Sequence, residues 1–194
     1  MSILLIAGSP SEPSRSVALL DAVADRLGAR VSDIERLNIR ELPAQALLLA
    51  DTGHPAIAAA AAQVARARAL VVATPVYKAA YSGLLKVFLD LLPQTALKGK
   101  AVLPLATGGS PHHMLALDYA LRPVLQSLGA RHILPGVYAT DHQVPRDVLG
   151  GYTIGEEINA RLDDAVHLLL TEGLRMPVAA GFDPVPFAQV RCSV

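Results

Sequence analysis

Apolar segments alternate with amphipathic segments along the whole chain. Apolar runs occupy residues 2–7, 70–73, 101–106 and 131–140, and a more polar segment at 30–37 is predicted to lie nearer a sheet edge. Short, nearly continuous apolar runs are typical of strands that are buried on both faces of a parallel sheet. Helical periodicity follows each strand, at residues 17–27, 55–68, 83–92, 112–128 and 154–170. The alternation predicts a single α/β domain over residues 1–194, a three-layer sandwich whose five-stranded parallel sheet has helices on both faces.

The predicted helix at residues 83–92 has only one narrow polar stripe. Ser82, Lys86 and Asp90 are spaced four apart and therefore share one face. Almost every other position is apolar, whereas a helix that covers one face of a sheet needs an apolar stripe only about 100° wide. We therefore expect a further helix or a second subunit to cover this helix.

The predicted helix at residues 112–128 repeats this pattern and also contains a proline. Its polar residues are again four apart and are Asp118, Arg122 and Gln126. Pro123 has no N–H to donate to the carbonyl four residues earlier, which belongs to Tyr119. The unpaired carbonyl predicts a kink or a π-bulge, a distortion that is frequently functional.

Composition restricts the classes of partner. The 17 Lys and Arg residues balance 17 Asp and Glu residues, so there is no basic footprint for nucleic acid and no acidic excess for steering an electron carrier. The hydrophobic content of 52% suits buried strands and a subunit interface, but no apolar run approaches the roughly 20 residues of a membrane span. No basic segment precedes the first strand, and Cys192 is the single cysteine, so we expect a cytoplasmic protein without a signal peptide.

The loop after the first strand is predicted to bind a phosphate. Residues 8–16 read GSPSEPSRS and lead into a helix, whose free amides and positive dipole end favour an anion. Ser9, Ser14 and Ser16 can donate hydroxyls, and Arg15 can form a forked pair with a phosphate. The loop lacks the dinucleotide-binding and P-loop glycine patterns. The alternative is a serine-capped helix with one surface arginine.

The loop after the third strand offers an aromatic ring and a cation. Thr74-Pro75 is expected to end that strand, because proline has no N–H for the ladder. Val76, Tyr77 and Lys78 follow and are candidates for contacts with a ligand, although an ordinary strand-to-helix connection is equally consistent with their position.

The loop after the fourth strand offers backbone amides. Pro104 within this strand implies a bulge, and the candidate residues that follow it are Thr107, Gly108, Gly109 and Ser110. The two glycines allow close approach to a planar ligand. His112 and His113 come next, but no carboxylate or cysteine lies at ligand spacing, so no metal site is predicted. The three loops meet at one sheet edge, and a phosphate site beside a flat-ring site describes FMN.

Five stretches carry a specific resemblance to a known family. They are AGSP…PSRS at 7–16, VATPVYKAAYSG at 72–83, LDLLP at 89–93, LPLATGG at 103–109 and LDYALRPVL at 117–125. The chain resembles the NADPH-dependent FMN reductases of flavodoxin-like fold, in particular the reductases of two-component alkanesulfonate monooxygenase systems. Many members carry an arginine where this chain has Ser11, so Arg15 is expected to supply the phosphate charge alone.

The resemblance implies FMN and NADPH as cofactors and a hydride transfer that needs no catalytic side chain. Ser9, Ser14, Arg15 and Ser16 would hold the phosphate, and residues 75–78 the ring. Residues 107–110 would present amides to the N1/O2/N3 edge. Two alternatives stay open: a flavodoxin-like electron carrier, and a quinone or azo-dye reductase with resident FMN.

The resemblance also implies an assembly and a protein partner. The position that matches Tyr119 lies on a π-helix at a tetramer interface, in reductases that bind flavin as an exchangeable substrate. We therefore expect a homo-oligomer, a dimer or a tetramer, that supplies reduced flavin to a flavin-dependent monooxygenase. The proline-rich tail from about residue 175 is expected to be extended and to lie on another subunit.

Overall fold

The computed structural model describes residues 2–175. The strands are β1 (Ser2–Ala7), β2 (Asp33–Asn38), β3 (Ala69–Tyr77), β4 (Ala80–Tyr81), β5 (Ala101–Gly108), β6 (His132–Ile133) and β7 (Val137–Thr140). The main sheet is parallel and runs β2-β1-β3-β5, and both β6 and β7 pair with the outer side of β5. The predicted five-position parallel sheet is therefore confirmed, with β4 as a small antiparallel addition to the end of β3.

The α-helices are α1 (Arg15–Gly28), α2 (Ala44–Leu48), α3 (Pro55–Arg66), α4 (Gly83–Asp90), α5 (Arg122–Ser127) and α6 (Glu156–Leu168). They form two hydrophobic cores, one on each face of the sheet. Buried residues of α1 and α6 belong to one core, and those of α3, α4 and α5 belong to the other. Successive residues of β3 alternate between the cores, with Val71 in the first and Val72 in the second. The predicted three-layer sandwich is confirmed.

The predicted end of the third strand at Thr74-Pro75 is wrong. Strand β3 continues to Tyr77, and Pro75 pairs with Thr107 of β5. Pairing with β1 stops at Ala73 and pairing with β4 begins at Val76, so Pro75 is paired only with β5. A proline is tolerated at a sheet edge, because its missing N–H interrupts no ladder there.

The predicted strand at residues 131–140 is broken in two. Ile133 pairs with Val102 and Val137 pairs with Leu105, so three residues of the edge strand lie opposite two of β5. One of those two is Pro104, where a bulge was expected, although the extra residue belongs to the neighbouring strand. The insertion separates β6 from β7 and lets β7 continue alongside the end of β5.

The predicted helix at residues 112–128 is also irregular. It consists of a 3₁₀ turn at Pro111–Met114, a π-helix at Leu117–Leu121 and then α5. The π-helix ends two residues before Pro123, so the predicted distortion is confirmed. A second π-helix, Leu169–Gly173, extends α6 and was not predicted.

Within residues 2–175, no helix is both long enough and apolar enough to cross a membrane. The proline-rich tail predicted from about residue 175 lies outside the described residues.

Candidate flavin-binding cleft

A cleft of about 290 Å³ lies at the carboxyl edge of β1, β3 and β5. Nine of the twelve predicted ligand-binding residues line it: Ser9, Ser14, Arg15, Pro75, Val76, Tyr77, Thr107, Gly108 and Gly109. Four residues that were not predicted complete the lining: Ser11, Pro13, Asp141 and Tyr152. The three loops therefore do meet in one concave site, as the edge rule for parallel sheets requires. Below, this site is called the three-loop cleft.

Three predicted residues do not line the three-loop cleft. Ser16 is fully buried, and its hydroxyl lies 3.1 Å from that of Ser14. Lys78 is exposed at the tip of the turn between β3 and β4. Ser110 begins the 3₁₀ turn, where its hydroxyl accepts a hydrogen bond from the His112 amide. Their roles in binding remain predictions.

The amino end of α1 faces the three-loop cleft without a side-chain cap. Ser14 occupies the N-cap position in extended backbone, but its hydroxyl makes no capping bond, and the first turn contains no acidic residue. The first amides of a helix have no partner within the helix, and the helix dipole is positive there. An uncapped end with a nearby serine hydroxyl is therefore well suited to an anion such as a phosphate.

The side chain of Arg15 contacts a loop on the far side of the cleft. Its Nε donates to the Val144 carbonyl at 3.0 Å, and Nη1 lies 3.6 Å from Oδ2 of Asp141. The guanidinium carbon lies 5.0 Å from the centre of the Tyr152 ring, which is cation–π geometry. The loop at residues 141–152 therefore holds the one arginine of the first loop.

The loop at residues 141–152 is held by hydrogen bonds to the end of β5 and within the loop itself. The Asp141 amide donates to the Gly108 carbonyl at 3.2 Å, and Arg146 and Tyr152 form an isolated antiparallel bridge. Asp147 Oδ1 accepts from the amides of two later residues of the loop. The sequence offered one unused signal here, because Asp141 directly follows the edge strand at the ligand-binding edge of the sheet.

A tight hairpin forms one wall of the three-loop cleft. Val76 pairs with Tyr81 and Tyr77 with Ala80, and the two residues between them have positive φ, 50° at Lys78 and 62° at Ala79. A two-residue turn with both φ values positive normally takes glycine or asparagine. Lysine and alanine are strained there, and such strain persists only where the surrounding structure imposes it. The hairpin presents the half-exposed Tyr77 ring at the mouth of the cleft.

Buried hydroxyls join the hairpin to α4 and to the first loop. Thr74 Oγ1 accepts from the Ser82 amide at 3.0 Å. Ser82 Oγ caps α4 by accepting from the Leu85 amide at 3.1 Å, and it donates to the Gly8 carbonyl. Both side chains are buried. This network links α4 to the end of β3 and to the Gly8 carbonyl through buried hydrogen bonds.

Tyr138 contacts the loop that follows β5 at Gly108 and Ser110. Its hydroxyl donates to the Ser110 carbonyl at 2.6 Å, and a Cβ added to Gly108 would lie 2.6 Å from the same oxygen. Only a glycine at position 108 therefore allows this packing. Burial raises the pKa of Tyr138, and the negative charge of Asp141 raises it further, so the phenol keeps the proton that it donates.

Among residues 2–175 no group of three or more His, Cys, Asp or Glu side chains could hold a metal ion. The three-loop cleft offers hydroxyls, backbone amides and one arginine as donors to a phosphate and a polar ring, beside the carboxylate of Asp141.

Comparison with known proteins places this site in a family. Residues 1–145 match the sequence profile of the family described as NADPH-dependent FMN reductase. The chain belongs to this family. All residues of the three-loop cleft except Tyr152 fall within the matched segment.

Relatives in this family are similar over most of their length. The chain is 50% identical to FMN reductase (NADPH) of Escherichia coli over 144 residues, 74% of this chain and 75% of the relative. It is 32% identical to NADH-dependent FMN reductase SfnE of Pseudomonas putida over 172 residues, 87% of this chain and 92% of the relative. The FMN reductase family therefore includes similar enzymes named for either nicotinamide cofactor.

Solved structures agree on the fold. The apo form of an NADH:FMN oxidoreductase, EMOB, superposes with a TM-score of 0.81 at 38% identity and covers 97% of this chain and 96% of that one. An azoreductase from Bacillus anthracis gives a TM-score of 0.59 at 19% identity, which shows a shared fold alone. The flavodoxin-like architecture expected from the sequence is confirmed.

Proposed function

We propose that the protein reduces FMN with NADPH, binds the flavin in the three-loop cleft and releases it as a product. The uncapped amino end of α1 carries this proposal, because that end offers free amides, the Ser14 hydroxyl and the Arg15 side chain without any acidic residue in its first turn. Membership of the FMN reductase family supports the choice of flavin and nicotinamide as reactants. The similarity to an NADPH-dependent relative at 50% identity favours NADPH over NADH.

The residues of the cleft fit FMN at both ends. Ser9, Ser14 and Arg15 are assigned to the phosphate, with Ser16 behind Ser14 as a hydrogen-bond partner. At the other end Gly108 and Gly109 line the cleft without side chains, so a ring can approach their backbone closely. Between the two ends the cleft has an apolar wall at Val76, beside the half-exposed ring of Tyr77.

In this mechanism the chain binds, orients and shields the reactants. Bound FMN supplies the hydride-accepting N5 atom, and the nicotinamide supplies the hydride from C4. Pro75, Val76 and Tyr77 would hold the plane of the ring, and its position would set the distance between the two reacting atoms. The amides at 107–110 would face the N1/O2/N3 edge of the ring, where donors would stabilise the negative charge of the reduced flavin. Lys78, at the exposed tip of the hairpin and outside the cleft lining, stays a predicted contact to the ring.

The test of this function is the dependence of NADPH oxidation on added FMN. A flavin reductase shows a rate that saturates with free FMN and a purified protein that is nearly colourless. A quinone or azo-dye reductase would be yellow as purified, and its rate would saturate with the acceptor and not with FMN. An electron carrier would not oxidise NADPH without a partner protein. Parallel titrations with NADH measure the nicotinamide preference.

We also propose that the protein is a homo-oligomer, with a tetramer as the expected state. The segment before α5 exposes three large apolar side chains, with exposed fractions of 52% for Met114, 52% for Leu115 and 78% for Tyr119. In α4, Leu84 and Val87 remain only partly buried within one protomer. Three large exposed apolar side chains within six residues are consistent with an interface. Light scattering at micromolar concentration would show a monomer if the proposal is wrong.

Deletion of Tyr119 tests whether the π-helix contributes to the interface and to flavin exchange. Deleting Tyr119 removes the residue that the π-helix inserts, so the helix can return to α geometry and every later residue keeps its face. We expect the interface to repack, the flavin to be retained in a yellow protein and free FMN reduction to fall. A folded deletion variant that stays colourless and keeps the parent rate would show that the π-helix has no part in flavin exchange.

The physiological partner follows from the same proposal. Reduced flavin reacts readily with oxygen, so an enzyme that releases it needs a flavin-dependent monooxygenase to consume it. By resemblance this partner is the monooxygenase of a sulfonate-sulfur assimilation system in the cytoplasm. Coupled assays with such a monooxygenase and an alkanesulfonate would detect sulfite, and a lack of sulfite with active parent reductase would exclude this partner.

A further inference from the structure

The charges in the three-loop cleft balance each other. Among the described residues that line it, Arg15 and Asp141 are the only ones that are charged at neutral pH. The other charged residue of the first loop, Glu12, forms an ion pair with Arg40. A phosphate that enters the cleft therefore meets a lining of zero net formal charge, in which Asp141 offsets Arg15.

The carboxylate and the phosphate need the same partner. Asp141 lies 3.6 Å from the Arg15 guanidinium, and the loop of Asp141 holds that guanidinium at two further points, Val144 and Tyr152. These three contacts, called here the Arg15 clasp, aim the cation at the loop of residues 141–152. Two anions cannot both take the full benefit of one cation, because each is repelled by the other.

We propose that Asp141 sets the flavin affinity by competing with the FMN phosphate for Arg15. The competition lowers the affinity for FMN and leaves that for riboflavin unchanged, which suits a flavin that must leave after reduction. This inference rests on the proposed function and names a specificity-determining residue within it. The loop of residues 141–152 thereby becomes part of the phosphate site, although it follows the last strand.

The expected size of the effect follows from the exposure of the pair. The side chains are 31% exposed at Arg15 and 45% exposed at Asp141, so solvent screens their attraction. An exposed pair of this kind corresponds to a change in affinity of about threefold, and relief of direct repulsion raises this to about tenfold at most. The effect is expected to shrink as the salt concentration rises.

The test compares FMN and riboflavin binding by fluorescence titration of four variants. Asp141→Asn keeps the shape of the side chain and removes its charge, and it should tighten FMN about threefold to tenfold while riboflavin changes less than about twofold. Asp163→Asn is the matched control, because it breaks the distant ion pair with Arg26 and changes the net charge equally. The proposal is overturned if the ratio of FMN affinity to riboflavin affinity in Asp141→Asn is equal to or smaller than that in the parent protein.

The third and fourth variants, Arg15→Ala and the double variant Arg15→Ala with Asp141→Asn, separate competition from simple repulsion. Without Arg15 the shared cation is gone, so Asp141→Asn should change the logarithm of the FMN affinity by at most half as much as it does in the parent protein. An equal effect on FMN affinity with and without Arg15 would show that Asp141 acts by its charge alone and would overturn the proposed competition for Arg15. Failure of the proposed function appears separately, as a parent protein without FMN-dependent NADPH oxidation, whereas the affinity ratio needs no turnover.

Discussion

Helices α1 and α4 begin at the same edge of the sheet, and each has a serine at its N-cap. In α4 the Ser82 hydroxyl is buried and accepts from the Leu85 amide, while it donates to the Gly8 carbonyl. In α1 the Ser14 hydroxyl caps nothing and contacts only Ser16 among its side-chain hydrogen bonds. A serine is the N-cap residue in both places, but only Ser82 makes a capping bond, and the Ser14 hydroxyl is available to a ligand.

This contrast separates stability from binding at neighbouring positions. A cap that satisfies a buried amide contributes to folding and leaves nothing to offer an anion. An uncapped end leaves amides that water must solvate, and those amides are available when a phosphate arrives. We therefore expect the same substitution to lower the stability at position 82 and the FMN affinity at position 14.

The largest effect is expected from Ser82→Ala. The substitution removes the cap of α4 and leaves the buried Gly8 carbonyl and Leu85 amide without their partner. Loss of a cap together with buried unsatisfied groups costs about 2–3 kcal/mol of unfolding free energy. Urea or thermal unfolding measures the loss, and FMN affinity of the folded fraction should change little. A stability within about 0.5 kcal/mol of the parent would contradict the structural role of this cap.

A smaller effect is expected from Arg15→Ala on the other side of the comparison. The variant loses a charge-assisted contact to the phosphate, but it also frees Asp141 from its partner, so FMN affinity should fall by about 1–2 kcal/mol. Riboflavin, which lacks the phosphate, should bind as before. Arg26→Ala, at the opposite end of α1, is the matched control. Equal losses for both flavins would show that Arg15 does not face the phosphate.

The fold could be predicted because its determinants are local. Apolar runs fix buried strands, and a missing N–H at Pro123 is enough to predict the distortion before it. The extension of β3 through Pro75 was missed because it depends on where β1 stops pairing, which no local pattern records. The break between β6 and β7 does have a local signal, because Pro135-Gly136 lies between Ile133 and Val137, and the prediction of one continuous strand overlooked it.

The candidate cleft was predictable to the same extent. The rule that loops at the carboxyl edge meet placed nine predicted residues around one cavity. It did not find the contacts of Arg15 with Asp141 and Tyr152, because residues more than a hundred positions apart leave no spacing to read. The same rule extended to the edge strand would have indicated Asp141, which directly follows β7.

The smallest effect is expected from Ser14→Ala, and it sharpens the comparison most. The hydroxyl of Ser14 makes no capping bond, so its removal should lower the unfolding free energy by less than about 1 kcal/mol, through the lost contact with Ser16. FMN affinity should fall by about 0.5–1 kcal/mol, because the phosphate loses one hydroxyl donor but keeps the helix amides. Riboflavin again serves as the reference ligand. A stability loss as large as that of Ser82→Ala, with unchanged FMN affinity, would mean that both serines stabilise the fold and that the uncapped end of α1 is not the phosphate site.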